Sequence, residues 1–194
     1  MAAIFGSAAL AAAMWLAIRF LAPQLTGMDD AASRLIFASG CCLLALLFTF
    51  VPMVQAVAHE RLQSAAFDPL GGAKTRRLEV NGRVLTNTGE QFLIFAPGLL
   101  GLAFYSPGGG AMRAVLATAI VWTVQRWAFW IGYHRSAALR GLGVPGMALA
   151  LVVLIYVGAR IGADVAGEAG AITVVAGYLA LEGILFRLTR SRSR

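Results

Sequence analysis

The chain has 194 residues, of which 59% are hydrophobic and only 13% are charged, and its mean hydropathy is +0.77. A soluble core of this size does not use so much apolar surface, so the composition excludes an ordinary water-soluble domain. The formal net charge of +7 would suggest nucleic-acid binding in a soluble protein. In a membrane protein its distribution along the chain has another explanation.

Apolar stretches of about 20 residues recur along the chain, which is the length with which an α-helix crosses a bilayer. They lie at 4–22, 35–57, 91–106, 114–133, 144–163 and 169–187. We therefore predict an all-α integral membrane protein with six spans. The first stretch is interpreted as a retained helix and not as a signal peptide, because Arg19 and Phe20 stand where small residues should precede a cleavage site.

Basic residues concentrate on one side of these spans. With the N-terminus placed in the cytoplasm, most of the sixteen Lys and Arg residues fall in cytoplasmic loops and in the C-terminal tail: Arg61, Lys74, Arg76, Arg77, Arg83, Arg135, Arg140, Arg187, Arg190, Arg192 and Arg194. This asymmetry is the positive-inside pattern, so the basicity indicates topology and not a nucleic-acid partner. We expect a multi-pass protein of the cell's inner membrane with both termini cytoplasmic.

The cysteine content points to neither a disulfide framework nor a metal site. The only two cysteines, Cys41 and Cys42, are adjacent and lie inside an apolar span, where they are interpreted as small packing residues.

Polar residues stand at the entrance to the third span, in the segment RVLTNTGEQ at 83–91. Asn87 and Glu90 have the spacing of a capping box, in which the two side chains bind free amides at a helix start. If the helix instead begins near Gly82, then Arg83, Asn87 and Glu90 lie on one face and point together into the bundle. The segment therefore predicts either a helix cap or a polar site.

A second polar stripe follows in the segment RWAFWIGYHRSAALR at 126–140. Arg126, Tyr133 and Arg140 are seven residues apart, which returns each of them to nearly the same helix face. A charged residue inside a span is costly unless it is paired or hydrated, so we expect Arg126 to face a polar cavity. Alternatively, Arg126 forms a structural ion pair with Glu90, and Arg135 and Arg140 extend to lipid headgroups.

The two stripes together predict a pocket at the cytoplasmic edge of the membrane. It would contain several guanidinium groups, a carboxylate, an amide and a phenol. Arginines bind carboxylates with two parallel hydrogen bonds, and a carboxylate binds an ammonium, so the pocket suits a small zwitterion with several carboxylates. Its positive potential would also lower the pKa of a bound thiol and favour the thiolate.

These residues resemble the MAPEG family, membrane-associated proteins of eicosanoid and glutathione metabolism. The matching elements are R-x-x-x-N-x-x-E, which begins at Arg83, and R-x-x-x-x-x-G-Y-x-R-S-A-x-L-R, which begins at Arg126. The resemblance covers about residues 35–163 and implies a four-helix bundle with a cytoplasmic loop at about 59–86.

The remaining residues would add one transmembrane helix to each end of that four-helix bundle. Residues 1–34 would form the additional N-terminal helix and an outer loop. Residues 164–194 would form the additional C-terminal helix and a basic cytoplasmic tail.

The resemblance also implies a homotrimer that holds glutathione as co-substrate at subunit interfaces near the cytoplasmic face. By position, it assigns Arg140 to stabilisation of the thiolate and five residues to glutathione binding: Arg83, Asn87, Glu90, Arg126 and Tyr133. The chain departs from the leukotriene-forming branch at two positions. Phe129 stands where that branch has a tyrosine, and Leu85 replaces a polar residue.

The implied function is a glutathione-dependent membrane transferase or peroxidase. It would act by thiolate attack on lipophilic electrophiles or lipid hydroperoxides that enter from the bilayer. The alternative is a non-catalytic membrane protein that binds or senses a ligand with the same pocket. A transporter is less favoured, because the sequence shows no paired broken helices and no inverted repeat.

Overall fold

The computed structural model describes residues 2–68, 70–136 and 138–190, and these residues are almost entirely helical. The helices are α1 (Ala2–Leu21), α2 (Ala31–Ala45), α3 (Val51–Leu62), α4 (Arg76–Phe104), α5 (Gly108–Arg135) and α6 (Val144–Thr189). A π-helical turn at Leu46–Phe50 joins α2 to α3, so that these three segments form one continuous helical rod. A 3-10 helix at Leu139–Gly143 joins α5 to α6.

Four helical segments of the described chain are long and apolar enough to cross a membrane: Ala3–Leu21, Ala31–Leu62, Gly108–Arg135 and Leu139–Thr189. The protein is therefore an all-α, multi-pass membrane protein with four candidate membrane helices. Residues 91–104 of the span predicted at 91–106 form the second half of α4. The first half of that helix is polar, which lowers the hydropathy of α4 as a whole.

The helix α6 is interrupted once, near its middle. Ala166 (φ −141°, ψ 27°) and Gly167 (φ 59°, ψ −148°) are not helical, and the chain reverses direction there. The backbone of Gly167 is in a region that is almost closed to residues with a side chain. The two parts of α6, 144–165 and 168–189, correspond to the last two predicted spans.

Small residues allow the two parts of α6 to pack closely as an antiparallel hairpin. A Cβ atom on Gly170 would lie 2.0 Å from the carbonyl oxygen of Gly162, and a Cβ atom on Gly158 would lie 3.3 Å from Val174 Cγ1. Gly158 and Gly162 have GxxxG spacing, and both lie at this helix–helix contact. The second part of α6 runs back toward the end of the bundle at which α6 begins.

The main core lies between α2, α4, α5 and the first part of α6. Phe95 of α4 stacks on Trp122 of α5 with ring centroids 4.3 Å apart, and Leu99 and Met112 are fully buried beside them. The connection between α4 and α5 is short, and both helices contribute residues to this core, so they pack as antiparallel neighbours. This core holds α4 and α5 in register, and therefore also the polar residues on them.

The helix α1 runs antiparallel to α5 along its whole length. Trp15 Nε1 donates to Thr118 Oγ1 at 3.1 Å, and Arg19 Nη1 donates to the carbonyl oxygen of Gly110 at 3.2 Å. Near the other end of α1, Ser7 Oγ donates to Gln125 Oε1 at 3.1 Å. The N-terminal helix is thus docked on the bundle by side-chain hydrogen bonds at three levels.

The predicted cap at the start of the third span is wrong. Helix α4 begins at Arg76, and its N-cap is Thr75, whose Oγ1 accepts from Leu78 N at 3.0 Å. Asn87 and Glu90 lie well inside the helix, where the backbone amides are already bonded to carbonyl groups of the preceding turn.

The long loop predicted at about 59–86 is correspondingly shorter. Helix α3 continues to Leu62, and α4 already begins at Arg76. The charged residues of this segment therefore lie mostly on helices. Arg192 and Arg194 of the predicted basic tail lie outside the described residues.

Candidate functional site

The polar face of α4 lines a cavity with a volume of about 950 Å³. Arg83, Asn87 and Glu90 follow one another at intervals of four and three residues, so they lie on one side of the helix. All three line this cavity, which we call the polar cavity, together with Glu79 one turn earlier. Since α4 begins at Arg76, the structure favours the second of the two sequence interpretations, a polar site.

The opposite wall of the polar cavity comes from α5. Arg126, Phe129 and Tyr133 face it from successive turns. Phe129 contacts both neighbours: its ring lies 5.5 Å from the Tyr133 ring, and the Arg126 guanidinium carbon lies 4.9 Å from its centroid. Phe129 therefore provides a cation–π contact at the position where the sequence lacks a tyrosine hydroxyl.

Arg126 is the most deeply buried polar residue of the site, with only 1% of its surface exposed. Its Nη1 donates to Asn87 Oδ1 at 3.1 Å, its Nη2 donates to the carbonyl oxygen of Gly143 at 2.9 Å, and its Nε has no partner. Its two hydrogen-bond acceptors are neutral groups. A buried cation with neutral partners favours an anion that can approach it.

The ion pair that the sequence offered as an alternative, Arg126 with Glu90, is not formed. Within residues 2–68, 70–136 and 138–190, the only ion pair joins Arg83 Nη2 to Glu79 Oε1 at 2.7 Å, and both side chains are more than half exposed. Glu90 thus lines the polar cavity without compensating a charge on Arg126.

Arg140 reaches the polar cavity from a different element than the sequence predicts. Helix α5 ends at Arg135 because Ser136 is extended (φ −163°, ψ 158°), and Ser136 Oγ then accepts from Leu139 N at 3.2 Å. Arg140 lies on the following 3-10 helix, so the single helical stripe from Arg126 through Tyr133 to Arg140 is wrong. Arg140 is exposed but still lines the polar cavity.

The 3-10 helix can close the polar cavity only because a glycine ends it. A Cβ atom on Gly143 would lie 2.3 Å from Phe129 Cβ and 3.0 Å from the carbonyl oxygen of Gln125. This close approach also brings the Gly143 carbonyl within hydrogen-bond distance of Arg126. A side chain at this position would push the 3-10 helix away from α5 and move the Gly143 carbonyl out of hydrogen-bond distance of Arg126.

The charged residues that line the polar cavity are three arginines and two glutamates: Arg83, Arg126, Arg140, Glu79 and Glu90. One glutamate is paired with Arg83, which leaves Arg126 and Arg140 against Glu90. The Tyr133 hydroxyl, followed by the Glu79 carboxylate, raises the pKa of the Arg83 guanidinium, so this group stays charged at every physiological pH. The polar cavity therefore has an excess of positive charge and one carboxylate free for a cationic group.

A hydrogen-bonded cluster fixes the start of α4 against the end of α5. The buried Asn81 accepts from Trp130 Nε1 at 2.9 Å, and its Oδ1 lies 2.8 Å from His134 Nε2. Arg76 Nη2 donates to the carbonyl oxygen of His134 at 3.2 Å. These contacts set the distance between the two helices that carry the polar residues.

The structure brings all six sequence-predicted site residues to one cavity, and it adds others that the sequence analysis missed. Glu79 had a signal, since its spacing of four from Arg83 is typical of a helical ion pair. Other lining residues had none, because they come from elements outside the two polar stripes: Ile4, Gly141, Gly143, Val144 and Met147.

Comparisons with known proteins give a single family. The model of the MAPEG family matches residues 37–160. No curated protein and no solved structure matches the chain. The matched region includes both polar stripes and all six predicted site residues, and it excludes α1 and the second part of α6. The family includes glutathione transferases and peroxidases, and most of its members are glutathione-dependent enzymes. This chain belongs to the MAPEG family.

Proposed function

We propose that this protein is a glutathione-dependent membrane transferase or peroxidase that acts on lipophilic electrophiles or lipid hydroperoxides. The observation that carries the proposal is the burial of Arg126 with only neutral hydrogen-bond acceptors. Its guanidinium is buried at the wall of the polar cavity, and its hydrogen bonds go to two neutral acceptors, the Asn87 amide oxygen and the Gly143 carbonyl. An anionic ligand would supply the compensating charge that Arg126 lacks among the described residues.

Glutathione matches the groups that line the polar cavity. It carries two carboxylates, one ammonium and one thiol. We assign its carboxylates to Arg83 and Arg126, its ammonium to Glu90, and further hydrogen bonds to Asn87 and Tyr133. Arg140, on the 3-10 helix, is left to stabilise the thiolate. A cavity of about 950 Å³ leaves room for a second substrate beside the tripeptide.

The reaction follows from the thiolate. The thiol releases its proton to water, and the positive potential favours the sulfur anion. With an electrophile, the sulfur forms a bond to the electrophilic carbon, and the leaving group departs with the bonding electron pair. With a hydroperoxide, the sulfur takes the terminal oxygen, which releases an alcohol and leaves a sulfenic acid. A second glutathione then gives the disulfide and water.

The substitution Arg140→Ala tests the proposal. We expect kcat/KM for conjugation of a model electrophile to fall by about 100-fold or more, which is typical for loss of one preorganised group that stabilises charge. The pH at which activity is half-maximal should also rise, because the bound thiol loses a neighbouring cation. The measurement is turnover against pH in detergent or nanodiscs.

Arg135→Ala is the matched control for this substitution. Arg135 is an exposed arginine at the end of α5, outside the lining of the polar cavity. We expect it to leave turnover and its pH profile unchanged. Equal turnover of Arg140→Ala and the wild type would remove the assignment of Arg140.

A second candidate function is a non-catalytic binding or sensing protein, and Phe129 favours it. This side chain places a ring and no hydroxyl group at the wall of the polar cavity. Glutathione titration of the purified protein distinguishes the two functions. Formation of a thiolate gives an ultraviolet difference absorbance, whereas binding without activation gives none.

We further propose that the assembly is a homotrimer with six spans per chain and with both termini in the cytoplasm. The hairpin of α6 supports six spans, because each of its two parts has about 20 residues, enough to cross the hydrocarbon layer. The start of α1 and the returning part of α6 lie at the same end of the bundle as the polar cavity. This is the arrangement that the positive-inside pattern predicts.

A further inference from the structure

A second, apolar cavity lies beside the polar cavity, in a cleft between α1, α5 and α6. It has a volume of about 410 Å³, and we call it the apolar groove. Its lining residues are Ala8, Ala11, Ala12, Trp15, Leu16, Val121, Pro145, Ala148 and Leu149. The only side-chain polar group among them is the indole N–H of Trp15, and this group already donates to Thr118 at 3.1 Å. The apolar groove thus offers its occupant no free side-chain hydrogen-bonding group.

The apolar groove continues the polar cavity along two helices. On α1, Ile4 lines the polar cavity and Ala8, one turn later, lines the apolar groove. On α6, Val144 lines the polar cavity and Ala148, again one turn later, lines the apolar groove. A molecule with one polar and one apolar end could therefore lie across both spaces without leaving the protein surface.

The hydrogen bonds of Ser7 fix the position of α1, and so they align the apolar groove with the polar cavity. Ser7 is buried, and its hydroxyl lies within hydrogen-bond distance of both Gln125 Oε1 and the carbonyl oxygen of Leu142. It lies between Ile4 and Ala8, so it fastens α1 to the bundle where the polar cavity gives way to the apolar groove. The short side chains of Ala8, Ala11 and Ala12 then leave the apolar groove open beside α5 and α6.

We propose that the apolar groove binds the hydrocarbon tail of the second substrate, while the reactive end of that molecule lies in the polar cavity. This inference rests on the proposed function. The groove extends from Ala8 to Leu16, about 12 Å along α1, and it suits an unbranched alkyl chain. Because α1 lies outside the region matched by the family model, this chain carries its own device for selecting substrates by the shape of the tail.

Labelling with a photoreactive lipid tests the proposal without requiring turnover. The probe is palmitic acid with a diazirine near the end of its chain, and its carboxylate stands in for the polar reactive end of the substrate. The protein is held in phospholipid nanodiscs, irradiated and digested with trypsin. We expect adducts on the peptides 1–19 and 141–160, which carry the walls of the groove, in excess over peptide 35–61 from the rod of α2 and α3.

Two substitutions fill the apolar groove from opposite walls. Ala12→Trp on α1 and Ala148→Trp on α6 both start from exposed alanines, so the larger side chain fits without displacing backbone. Each should reduce the adducts on both groove peptides by about fivefold or more, because the indole ring occupies space in which methylene groups of the tail would otherwise be buried. Ala13→Trp is the control, because the exposed Ala13 lies outside both cavities, and it should leave the adducts unchanged.

Two outcomes would overturn the inference. One is equal labelling of all three peptides, which would mean that ordinary bilayer lipid occupies the groove. The other is labelling that persists in both Ala12→Trp and Ala148→Trp. A parallel assay of turnover compares electrophiles with long and short tails. Both substitutions should lower the ratio of kcat/KM for the long-tailed electrophile to kcat/KM for the short-tailed one. Absence of turnover in the wild type would contradict the proposed function, whereas the labelling result would still decide whether the groove binds lipid tails.

Discussion

Arg126 is the residue on which the account of the site depends. Most charged side chains in membrane spans are paired, because an isolated charge is costly there. Arg126 instead donates to neutral acceptors on two elements, Asn87 on α4 and Gly143 at the end of the 3-10 helix, and it also contacts the ring of Phe129. The planar geometry of the guanidinium is important here, because its two Nη groups donate to acceptors on different helices.

Arg126→Lys tests this role at the level of one side chain. A lysine keeps the charge but cannot make two hydrogen bonds in the fixed geometry of a guanidinium. We expect the affinity for glutathione to fall by about tenfold, which corresponds to about 1.4 kcal/mol. Isothermal titration of the purified protein measures it.

The control for that substitution is Arg113→Lys. Arg113 bonds to backbone carbonyls of Phe20 and Ala22 at the opposite end of the bundle. Its replacement should leave glutathione affinity unchanged. If Arg126→Lys binds glutathione as tightly as the wild type, then Arg126 has no direct role in binding.

The side chains that form the site could be predicted from spacing, but their partners could not. Intervals of three, four and seven residues indicate a shared helix face, and this brought together Arg83, Asn87, Glu90, Arg126 and Tyr133. The acceptor of Arg126 Nη2 is a backbone carbonyl, and a sequence pattern carries no signal for such a contact. The choice between Glu90 and Asn87 as partner depends on helix rotation, which packing of the core determines.

At the level of elements, helix ends were the part that the sequence predicted least well. Thr75 precedes the charged run RRLE, and its role as N-cap of α4 was hidden by the more typical pair Asn87 and Glu90. Ser136 ends α5 without a glycine or proline to mark the break. Arg140 therefore falls on a separate 3-10 helix, where a seven-residue period does not apply.

The reversal in α6 gives a prediction at this scale. Gly167→Ala places a side chain where φ is 59° and ψ is −148°, which should destabilise the hairpin by about 1–3 kcal/mol. Gly177→Ala is the matched control, because Gly177 is helical and a Cβ atom there would contact nothing within 4 Å. That replacement should be neutral or slightly stabilising.

Thermal unfolding of both glycine variants in the same detergent provides the measurement. We expect a lower midpoint for Gly167→Ala and an unchanged or higher midpoint for Gly177→Ala. Equal midpoints for Gly167→Ala and the wild type would indicate that the reversal does not depend on the positive φ angle.

At the level of the whole molecule, the matched region holds the polar cavity, and the added helix α1 lies along one of its walls. The sequence predicted an additional N-terminal helix but not its position, because α1 has apolar residues on all sides and no polar stripe to orient it. Individual hydrogen bonds dock α1 on α5, such as those of Ser7 with Gln125 and of Trp15 with Thr118. Much of the remaining apolar surface of the chain is exposed, which suits contact with lipid or with further subunits.

The most direct test of the central claim is a density map of the protein in nanodiscs with saturating glutathione. We predict threefold assemblies with glutathione in the polar cavity of each chain, its carboxylates at Arg83 and Arg126 and its sulfur near Arg140. A map that resolves these side chains and shows the polar cavity empty, or glutathione bound away from these three guanidinium groups, would contradict the account.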